Sequence, residues 1–355
     1  MPSGLSVPKT KAETTRLFLL EERLLDTSKE LKKTSTEIIF PLLKQISKNQ
    51  EKALNAKKIE FKKVKARFAL KKGKPRSLEE ALKGELSKKE LSELITSFDI
   101  IGKIALILIP DKLLPKEKTI AKALLEANPQ VKTVARILGG HEGEFRIRPV
   151  KIIAGENKTE TLHSEWGCRY KVAVGKVFFS PRLSHERQRI TGLIKKGESI
   201  AVFFAGVGPF AIAFAKHSMA GKVFAIELNP DAFRLLKENI ALNKVEGRVE
   251  AFEGDVKSVV PEKIAGKCDR VVMPLPRGGE NFLDVAFMAL KPEGGTIHFY
   301  QFVEKSELFS LPLESLKEAA KKAKRKIKIQ NKKVVRSFSP TKVQVVVDCL
   351  VFSSA

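Results

Sequence analysis

The feature that most constrains the fold of this chain is a strand, a glycine turn and a helix that follow one another without a gap. The apolar run Ser199–Phe204 predicts a buried strand, and Phe210–Lys216 predicts an apolar helix. Between them lie Ala205, Gly206 and Gly208. Glycines allow the backbone to turn sharply and to approach a ligand, and the helix that follows adds the positive end of its dipole. We therefore expect a ligand site at the carboxyl end of this strand.

Two acidic residues at the ends of the next two predicted strands indicate which ligand this is. Glu227 ends the strand Lys222–Glu227, twenty-one residues after Gly206, where it can accept hydrogen bonds from a ribose diol. Asp255 follows the strand Arg248–Phe252, where a carboxylate can receive the exocyclic amine of an adenine. A glycine turn and two acids on successive strand ends are typical of the S-adenosylmethionine site of class I methyltransferases.

Other interpretations of the glycine turn explain less of the sequence. A nicotinamide site requires the pattern GxGxxG, and Phe210 and Ala211 occupy the place of its third glycine, which argues against a dehydrogenase. A purely structural role for the glycines leaves Glu227 and Asp255 without an explanation. The same two acids argue against a catalytically silent RNA-binding protein that only keeps the fold.

Net charge indicates the partner. The 355 residues include 66 Lys and Arg against 41 Asp and Glu, a formal net charge of +25. So large an imbalance predicts a polyanionic partner, and nucleic acid is the first candidate. Lysine and arginine are concentrated at 51–76, where we expect an exposed basic arm or helix, and at 317–333, where we expect a basic helix that binds phosphates. A solvated linker and a solvated face are the respective alternatives.

Cysteine usage and hydropathy exclude several classes of protein. Cys168, Cys268 and Cys349 are widely scattered, which argues against a disulfide framework or a CxxC metal site, and the histidines lack the spacing of metal ligands. The longest apolar run, Ile100–Pro110, contains Lys103 and is far shorter than the ~20 residues of a membrane span, and no charged-then-apolar leader opens the chain. We expect a monomeric cytoplasmic protein with no metal site and no membrane segment.

The order of predicted elements indicates three domains. Residues 1–92 are expected to form a small α+β module with the basic arm, and 93–166 a second small α/β unit with a continuous strand over Phe98–Pro110. From 167 to 355, strand, glycine-rich turn and helix alternate, which is typical of a doubly wound, mostly parallel sheet. The last antiparallel pair is expected within Val334–Phe352. The predicted fold class is α/β, a class I methyltransferase sheet preceded by two small α+β domains.

Several segments in one order carry a resemblance to a known family. These segments are FDIIGKIALILIP, KVFFSPRLSHERQRI, FFAGVGPFAIAFAK, AIELNPDAF and VRSFSP. With them the chain resembles the archaeal and eukaryotic-type tRNA (guanine-37-N1)-methyltransferases over nearly its whole length. The resemblance implies S-adenosylmethionine as cofactor, tRNA as partner, and an N-terminal module that touches the outer corner of the tRNA. It extends to the wyosine-pathway aminocarboxypropyl transferases, so aminocarboxypropyl transfer, or methylation of a tricyclic intermediate, stays open as the alternative reaction.

Two residues match the chemistry that methylation of guanine N1 requires, which is a base for the N1 proton and a stabiliser for the charge that builds on O6. Glu186, just before the cofactor strand, resembles the family's catalytic Glu and is the expected base. The alternative is a carboxylate on the helix surface, paired with Arg189 or Arg182. Arg146 matches the family's Arg that hydrogen-bonds O6, and its permanently charged fork suits an oxyanion. Its near neighbour Arg148 is the alternative for that role.

The glycine turn and the resemblance together predict further contacts. The expected cofactor-contacting residues are Arg187, Ala205, Gly206, Gly208, Glu227, Leu228, Asp255, Val256 and Pro274. The expected substrate-contacting residues are Arg148, Phe178 and Arg182.

Three positions depart from the pattern of the family. The turn Pro274-Leu275-Pro276 stands where members often have an Asn in an N-x-P turn, Phe178 stands where Tyr is common, and Ala173 replaces an Asp. These changes remove an amide, a hydroxyl and a carboxylate. They put the fine positioning of the target base, and the identity of the substrate nucleotide, in doubt. The cofactor pocket is not affected.

Overall fold

The computed structural model describes residues 3–70, 75, 77–140, 143 and 145–353. The chain forms two compact units, Met1–Pro75 and Arg76–Ala355. Leu78, which precedes residue 92, lies in the same apolar core as Ile107 and Leu124. The division into three domains at residues 92 and 166 stays a prediction.

The first unit is a four-stranded antiparallel sheet with two helices. Its strands, in the sheet order β2-β3-β1-β4, are β1 (Ser3–Pro8), β2 (Lys32–Lys33), β3 (Glu37–Pro41) and β4 (Lys62–Lys65). Its helices are α1 (Ala12–Glu21) and α2 (Lys48–Ala56). Leu5, Leu19 and Leu54 are fully buried in one core, which accounts for the cohesion of this unit.

The basic segment 51–76 has mixed structure. Its first residues complete α2, which begins at a capping box between Ser47 and Gln50. Its middle part is the edge strand β4, on which Lys62, Lys63 and Lys65 are exposed. Of residues 71–76, only Pro75 lies within the described residues.

The second unit begins with a mixed four-stranded sheet and the helices that cover it. Its strands, in sheet order, are β5 (Phe98–Ile101), β6 (Ile104–Ile107), β7 (Thr133–Ile137) and β8 (Val150–Gly155). Its helices are α3 (Leu78–Ala81), α4 (Lys88–Glu93) and α5 (Glu117–Ala127). A hairpin of β9 (Glu160–Glu165) and β10 (Cys168–Ala173) follows.

The expectation of one continuous strand over Phe98–Pro110 is wrong, because β5 and β6 are the two arms of an antiparallel hairpin. Gly102 makes the turn with φ at +55°, and a Cβ at this position would lie 2.5 Å from the carbonyl oxygen of Leu162. A left-handed turn pressed against a neighbouring backbone requires glycine. The unbroken apolar composition of the segment concealed this turn.

The rest of the second unit is a seven-stranded sheet with helices on its faces. The strands are β11 (Ser199–Val202), β12 (Lys222–Glu227), β13 (Val249–Glu253), β14 (Arg270–Met273), β15 (Gly294–Glu304), β16 (Ile327–Ser337) and β17 (Lys342–Phe352). The helices are α6 (Ser184–Thr191), α7 (Pro209–His217), α8 (Pro230–Leu242), α9 (Val256–Val259), α10 (Leu283–Ala289) and α11 (Ser310–Lys322).

The order of this sheet is β13-β12-β11-β14-β15-β17-β16. The first five strands are parallel, and β17 runs antiparallel to both of its neighbours. The strand order reverses between β11 and β14, and in such sheets ligands bind beyond the carboxyl ends of the strands at that point. The predicted fold class, a doubly wound sheet closed by an antiparallel strand, is confirmed.

The expected basic helix over 317–333 is wrong in its second half. The helix α11 ends at Lys322, Lys324 has a positive φ of 53°, and β16 begins at Ile327. Ile327 and Ile329 are both partly buried against the core of the sheet. Alternation of one apolar and one polar residue is a strand pattern, and it prevails here over the lysine content of the segment.

Candidate active site

The glycine turn joins β11 to α7 and has the conformation that its glycines allow. Gly206 and Gly208 have φ of +59° and +91°. A Cβ on Gly208 would lie 2.5 Å from Cδ1 of Leu236 and 2.9 Å from Cδ1 of Ile212, and one on Gly206 would lie 3.6 Å from the carbonyl oxygen of Phe178. The turn therefore packs closely against α8 below it and has the Phe178 backbone beside it.

Glu227 ties this turn to the end of β12. Its Oε2 accepts from the backbone N–H of Gly206 at 2.6 Å, and its Oε1 accepts from the N–H of Asn229 at 2.8 Å. Burial raises the pKa of the Glu227 carboxyl, although these backbone donors favour its ionised form. Each carboxylate oxygen has a second lone pair, so Glu227 can also accept from a ribose diol.

Gly208→Ala is expected to lower the free energy of unfolding by about 1–3 kcal/mol, because the new methyl group meets α8 and the backbone stays in a left-handed region. Urea unfolding followed by circular dichroism measures this change. Gly247→Ala is the matched control, since a Cβ there meets nothing within 4 Å and its φ is not in the left-handed region. Equal stability of the two variants would contradict the packing described for the turn.

Most of the other predicted cofactor residues lie at strand ends of the same sheet. Asp255 follows β13, caps α9 by accepting from the N–H of Lys257 at 2.8 Å, and is followed by the buried Val256. Leu228 and Pro274 follow β12 and β14 directly. Because parallel strands place their carboxyl ends at one edge of the sheet, these residues share that edge with the glycine turn.

Arg187 has a different environment from the rest of this predicted set. It is 1% exposed, and its guanidinium donates to both oxygens of Glu165, each at 2.6 Å, and to the carbonyl oxygen of Ser180. The same group lies over the rings of Phe179 and Phe210. Arg187 thus fastens α6 to the hairpin of β9 and β10, and its contact with the cofactor stays a prediction.

Glu186, the expected base, lies in the first turn of α6 and is 3% exposed. Its Oε1 accepts from the Tyr300 hydroxyl and from an Arg189 N–H, each at 2.7 Å, and its Oε2 accepts from Nε of Arg189 at 2.9 Å. The pairing with Arg189 that the helix-surface alternative requires is present, but the carboxylate is buried. Arg182, the other partner considered, pairs with Asp99 at 2.6 Å instead.

Arg146 reaches the loop that follows β14. Its own backbone has a positive φ of 52°, and its guanidinium donates to the carbonyl oxygen of Arg277. Burial lowers the pKa of Arg146, and the nearby charge of Arg277 lowers it further. The structure therefore brings Arg146 to the same loop as Pro274, at the carboxyl edge of the sheet.

Three arginines lie near one aspartate, and two of them line an open pocket together with it. Arg148, Arg182 and Asp99 line the pocket, and Arg336 lies on β16 near them. Burial lowers the pKa of Arg148 and of Arg336, Asp99 raises both, and Arg182 lowers both. Within the described residues, Nε of Arg148 is buried without a hydrogen-bond partner. The three guanidinium groups outnumber the one carboxylate, so the group can hold an anion.

Three residues around Glu186 are not predicted from the sequence, namely Tyr300, Asp348 and His298. The sequence contains one indication that two of these residues lie together. His298 and Tyr300 are two residues apart on β15, so that they lie on one face of the sheet, and Asp348 of β17 is the register partner of His298. The pairing of β15 with β17 cannot be inferred from local sequence.

Fold and site together define a class of protein. The strand order, the left-handed glycine turn and the Glu227 carboxylate beside it fit a nucleoside held at the edge of the sheet, and Asp255 follows the next strand. These features are those of an S-adenosylmethionine-dependent methyltransferase of class I, and the predicted cofactor is confirmed.

Comparison with known proteins gives the family. Family models match at residues 161–329 (TRM5/TYW2 methyltransferase domain), 78–159 (TYW2 N-terminal domain) and 4–50 (tRNA methyltransferase 5 N-terminal domain). The chain is 36% identical to the tRNA (guanine(37)-N(1))-methyltransferase Trm5b of Pyrococcus abyssi, over 98% of each chain. The chain belongs to the TRM5/TYW2 methyltransferase family and is an enzyme.

Two further relatives bear on the reaction. A solved complex of aTrm5 and tRNALeu has a TM-score of 0.73 and 31% identity, and the match covers 98% of this chain and 99% of that one. A tRNA(Phe) (4-demethylwyosine(37)-C(7)) aminocarboxypropyltransferase of Methanocaldococcus jannaschii is 36% identical, over 58% of this chain and 80% of its own. Both branches of the family are therefore represented among the similar proteins.

The described residues contain no candidate metal-binding group and no membrane-spanning helix. No group of three or more His, Cys, Asp and Glu among them could hold a metal ion. No helix in the same part of the chain is long and apolar enough to cross a membrane. The cytoplasmic location and the monomeric state stay predictions.

Proposed function

We propose that this enzyme transfers the methyl group of S-adenosylmethionine to N1 of guanine 37 in tRNA, next to the anticodon. The observation that carries this proposal is the 36% identity with the Pyrococcus abyssi methyltransferase of that specificity over 98% of both chains. The relative solved with tRNALeu supports tRNA as the partner. A net charge of +25 suits the same polyanion.

Glu186 is the base in this proposal. Glu186 lies on helix α6, which packs against α7. Because α7 begins directly after the glycine turn, the helix that holds Glu186 is a neighbour of the helix that begins at the expected cofactor site. Arg189 and Tyr300 hold both of its oxygens in a fixed orientation, and burial keeps water away from them. A carboxylate oriented in this way can accept the N1 proton of guanine through a free lone pair.

Arg146 stabilises the purine as that proton leaves. Loss of the N1 proton moves negative charge onto O6, and a guanidinium that stays charged can hold it. The partly buried position of Arg146 strengthens such a contact, because the local dielectric constant is lower than that of water. S-adenosylmethionine, when bound, supplies an electrophilic methyl group at the glycine turn. Arg148 stays the alternative for the contact with O6.

The cluster of Arg148, Arg182 and Arg336 binds phosphodiester groups of the tRNA in this proposal. A phosphate can accept from the half-exposed guanidinium of Arg182, whose charge Asp99 now shares. Phe178, which is 40% exposed beside the glycine turn, is the candidate for stacking on the target base.

Arg336→Gln is expected to weaken tRNA binding several-fold and to reduce the slope of log affinity against log salt by about 1, because one phosphate contact is lost. Filter binding at a series of salt concentrations measures both quantities. Lys263→Gln, an exposed position outside the cluster, removes the same charge and is the control. Equal slopes for the two variants would remove Arg336 from the phosphate-binding surface.

The proposed reaction is tested with unmodified tRNA bearing G37 and with S-adenosylmethionine labelled separately in its methyl and aminobutyrate portions. Nucleoside mass analysis is expected to find the methyl label in 1-methylguanosine. A tRNA with adenine at position 37 is the control and should take up no label. Absence of methyl transfer to G37 would refute the proposed function.

A second candidate reaction is aminocarboxypropyl transfer, or methylation of a tricyclic wyosine intermediate, at the same nucleotide. It is favoured by the aminocarboxypropyltransferase relative, which matches 58% of this chain, and by the turn Pro274-Leu275-Pro276. Aminobutyrate label in the tRNA, or transfer only when a wyosine precursor is supplied, would support it.

A further inference from the structure

The arginine that holds Glu186 is shared with a second buried carboxylate. Arg189 donates through Nη1 to Oδ2 of Asp348 at 2.6 Å and through Nη2 to Oδ1 at 3.1 Å. Asp348 is 2% exposed and lies on β17, and the nitrogen that donates to its Oδ1 also donates to Oε1 of Glu186. One guanidinium thus lies between two carboxylates.

Two further residues hold Asp348. Asn331 of β16 donates to Oδ2 at 3.1 Å, and Nδ1 of His298 of β15 lies 2.6 Å from Oδ1. Asp348 is the register partner of both residues, so three adjacent strands place the group. The donors from Arg189 and His298 hold the pKa of Asp348 well below its usual range.

The hydrogen bonds of His298 fix its protonation. An Arg270 N–H lies 2.6 Å from Nε2, and an arginine can only donate, so Nε2 accepts. The proton of the neutral ring is therefore on Nδ1 and points at Asp348. Burial lowers the pKa of His298, which keeps the ring neutral. Arg270 is itself paired with Glu198 at 2.8 Å and 3.0 Å, so its charge is balanced locally.

Arg189 is the nearest cation to Glu186, with a guanidinium nitrogen 2.7 Å from Oε1. Lys333 is the other cation near this carboxylate in the described residues, with Nζ at 4.0 Å and a half-exposed side chain. A carboxylate that has a buried cation to itself binds protons weakly. Asp348 and Glu186 therefore share the charge of one guanidinium, which also holds Glu186 in a fixed orientation.

We propose that Asp348, oriented by His298 and Asn331, is a positioning residue for the methyl transfer, which holds Arg189 in place and balances its charge so that Glu186 stays basic. The inference rests on the proposed function, in which Glu186 accepts the N1 proton. A network that served only to hold β15, β16 and β17 together would contribute to stability and would leave the proton affinity of Glu186 alone.

The test is the pH dependence of the single-turnover rate with tRNA and S-adenosylmethionine saturating. In Asp348→Asn, Arg189 acts on Glu186 alone. The acid limb of the pH–rate profile, where the rate rises with pH, is therefore expected to move to lower pH by about one unit. The rate on the plateau above that limb is expected to fall about tenfold. In Arg189→Gln the cation is absent, and the limb is expected to move to higher pH. Asp284→Asn, at an exposed position, is the control and should leave the limb in place.

Opposite displacement of the acid limb in the two variants would support the role of Asp348. An acid limb that stays in place in folded, active variants would overturn it, as would loss of the fold in both variants while Asp284→Asn remains folded. Thermal unfolding midpoints, measured in parallel, separate these cases. The activity of the wild type on G37 is measured first, and its absence would count against the proposed function. Active variants whose acid limbs stay at the wild-type pH would count only against the positioning role of Asp348.

Discussion

Glu186→Gln is expected to lower the single-turnover rate of methyl transfer by about 10²- to 10⁴-fold, which is the usual contribution of a general base. The amide has nearly the same shape and can still accept from Tyr300 or from Arg189 through its oxygen, but it cannot take up the N1 proton. Rapid-quench measurement with enzyme in excess over tRNA reports this step directly. Affinities for tRNA and S-adenosylmethionine are expected to stay close to those of the wild type.

Glu262→Gln, at an exposed position before β14, provides the comparison, because it makes the same chemical change outside the site. A Glu186→Gln variant that kept the wild-type rate would show that another group, or the solvent, removes the proton. A variant that lost both affinities along with the rate would instead indicate a role in folding of the site.

Glu227→Ala is expected to weaken S-adenosylmethionine binding about 10²-fold, since hydrogen bonds to a charged group contribute about 1.5–3 kcal/mol each. The change removes the acceptor for a ribose diol, and it also leaves the N–H groups of Gly206 and Asn229 without their partner. Isothermal titration calorimetry with the cofactor measures the effect in the absence of tRNA.

Glu246→Ala is the control for this loss, because Glu246 is exposed and lies before β13. Binding of tRNA at low cofactor concentration should be the same in both variants. If the affinity of Glu227→Ala for S-adenosylmethionine equalled that of Glu246→Ala, the assignment of the cofactor site to this turn would be wrong.

The cofactor half of the site could be predicted from the sequence because its geometry is local. Gly206, Gly208 and Glu227 lie within two strand-helix units, and the parallel sheet brings strand ends together without any choice of pairing. The periodicity of each segment therefore determined both the fold class and the edge on which these residues meet. The wrong expectation over Phe98–Pro110 arose where one glycine, Gly102, reverses an otherwise uniform apolar run.

The surroundings of Glu186 could not be predicted in the same way. Tyr300, Asp348 and Arg189 come from β15, β17 and α6, and their contacts depend on which strands become neighbours at the antiparallel end of the sheet. Local sequence contains no information on that pairing. The burial of the carboxylate follows from it, so a helix-surface position for Glu186 was a reasonable alternative before the structure.

The two edge strands of the sheet in the first unit consist almost wholly of lysine. β2 is Lys32–Lys33, and β4 has Lys62, Lys63 and Lys65, all exposed. An edge strand offers unpaired N–H and C=O groups to any other strand, which is the usual route to aggregation. A second copy of the chain that approached either edge would bring like charges together, so these lysines oppose edge-to-edge pairing of strands.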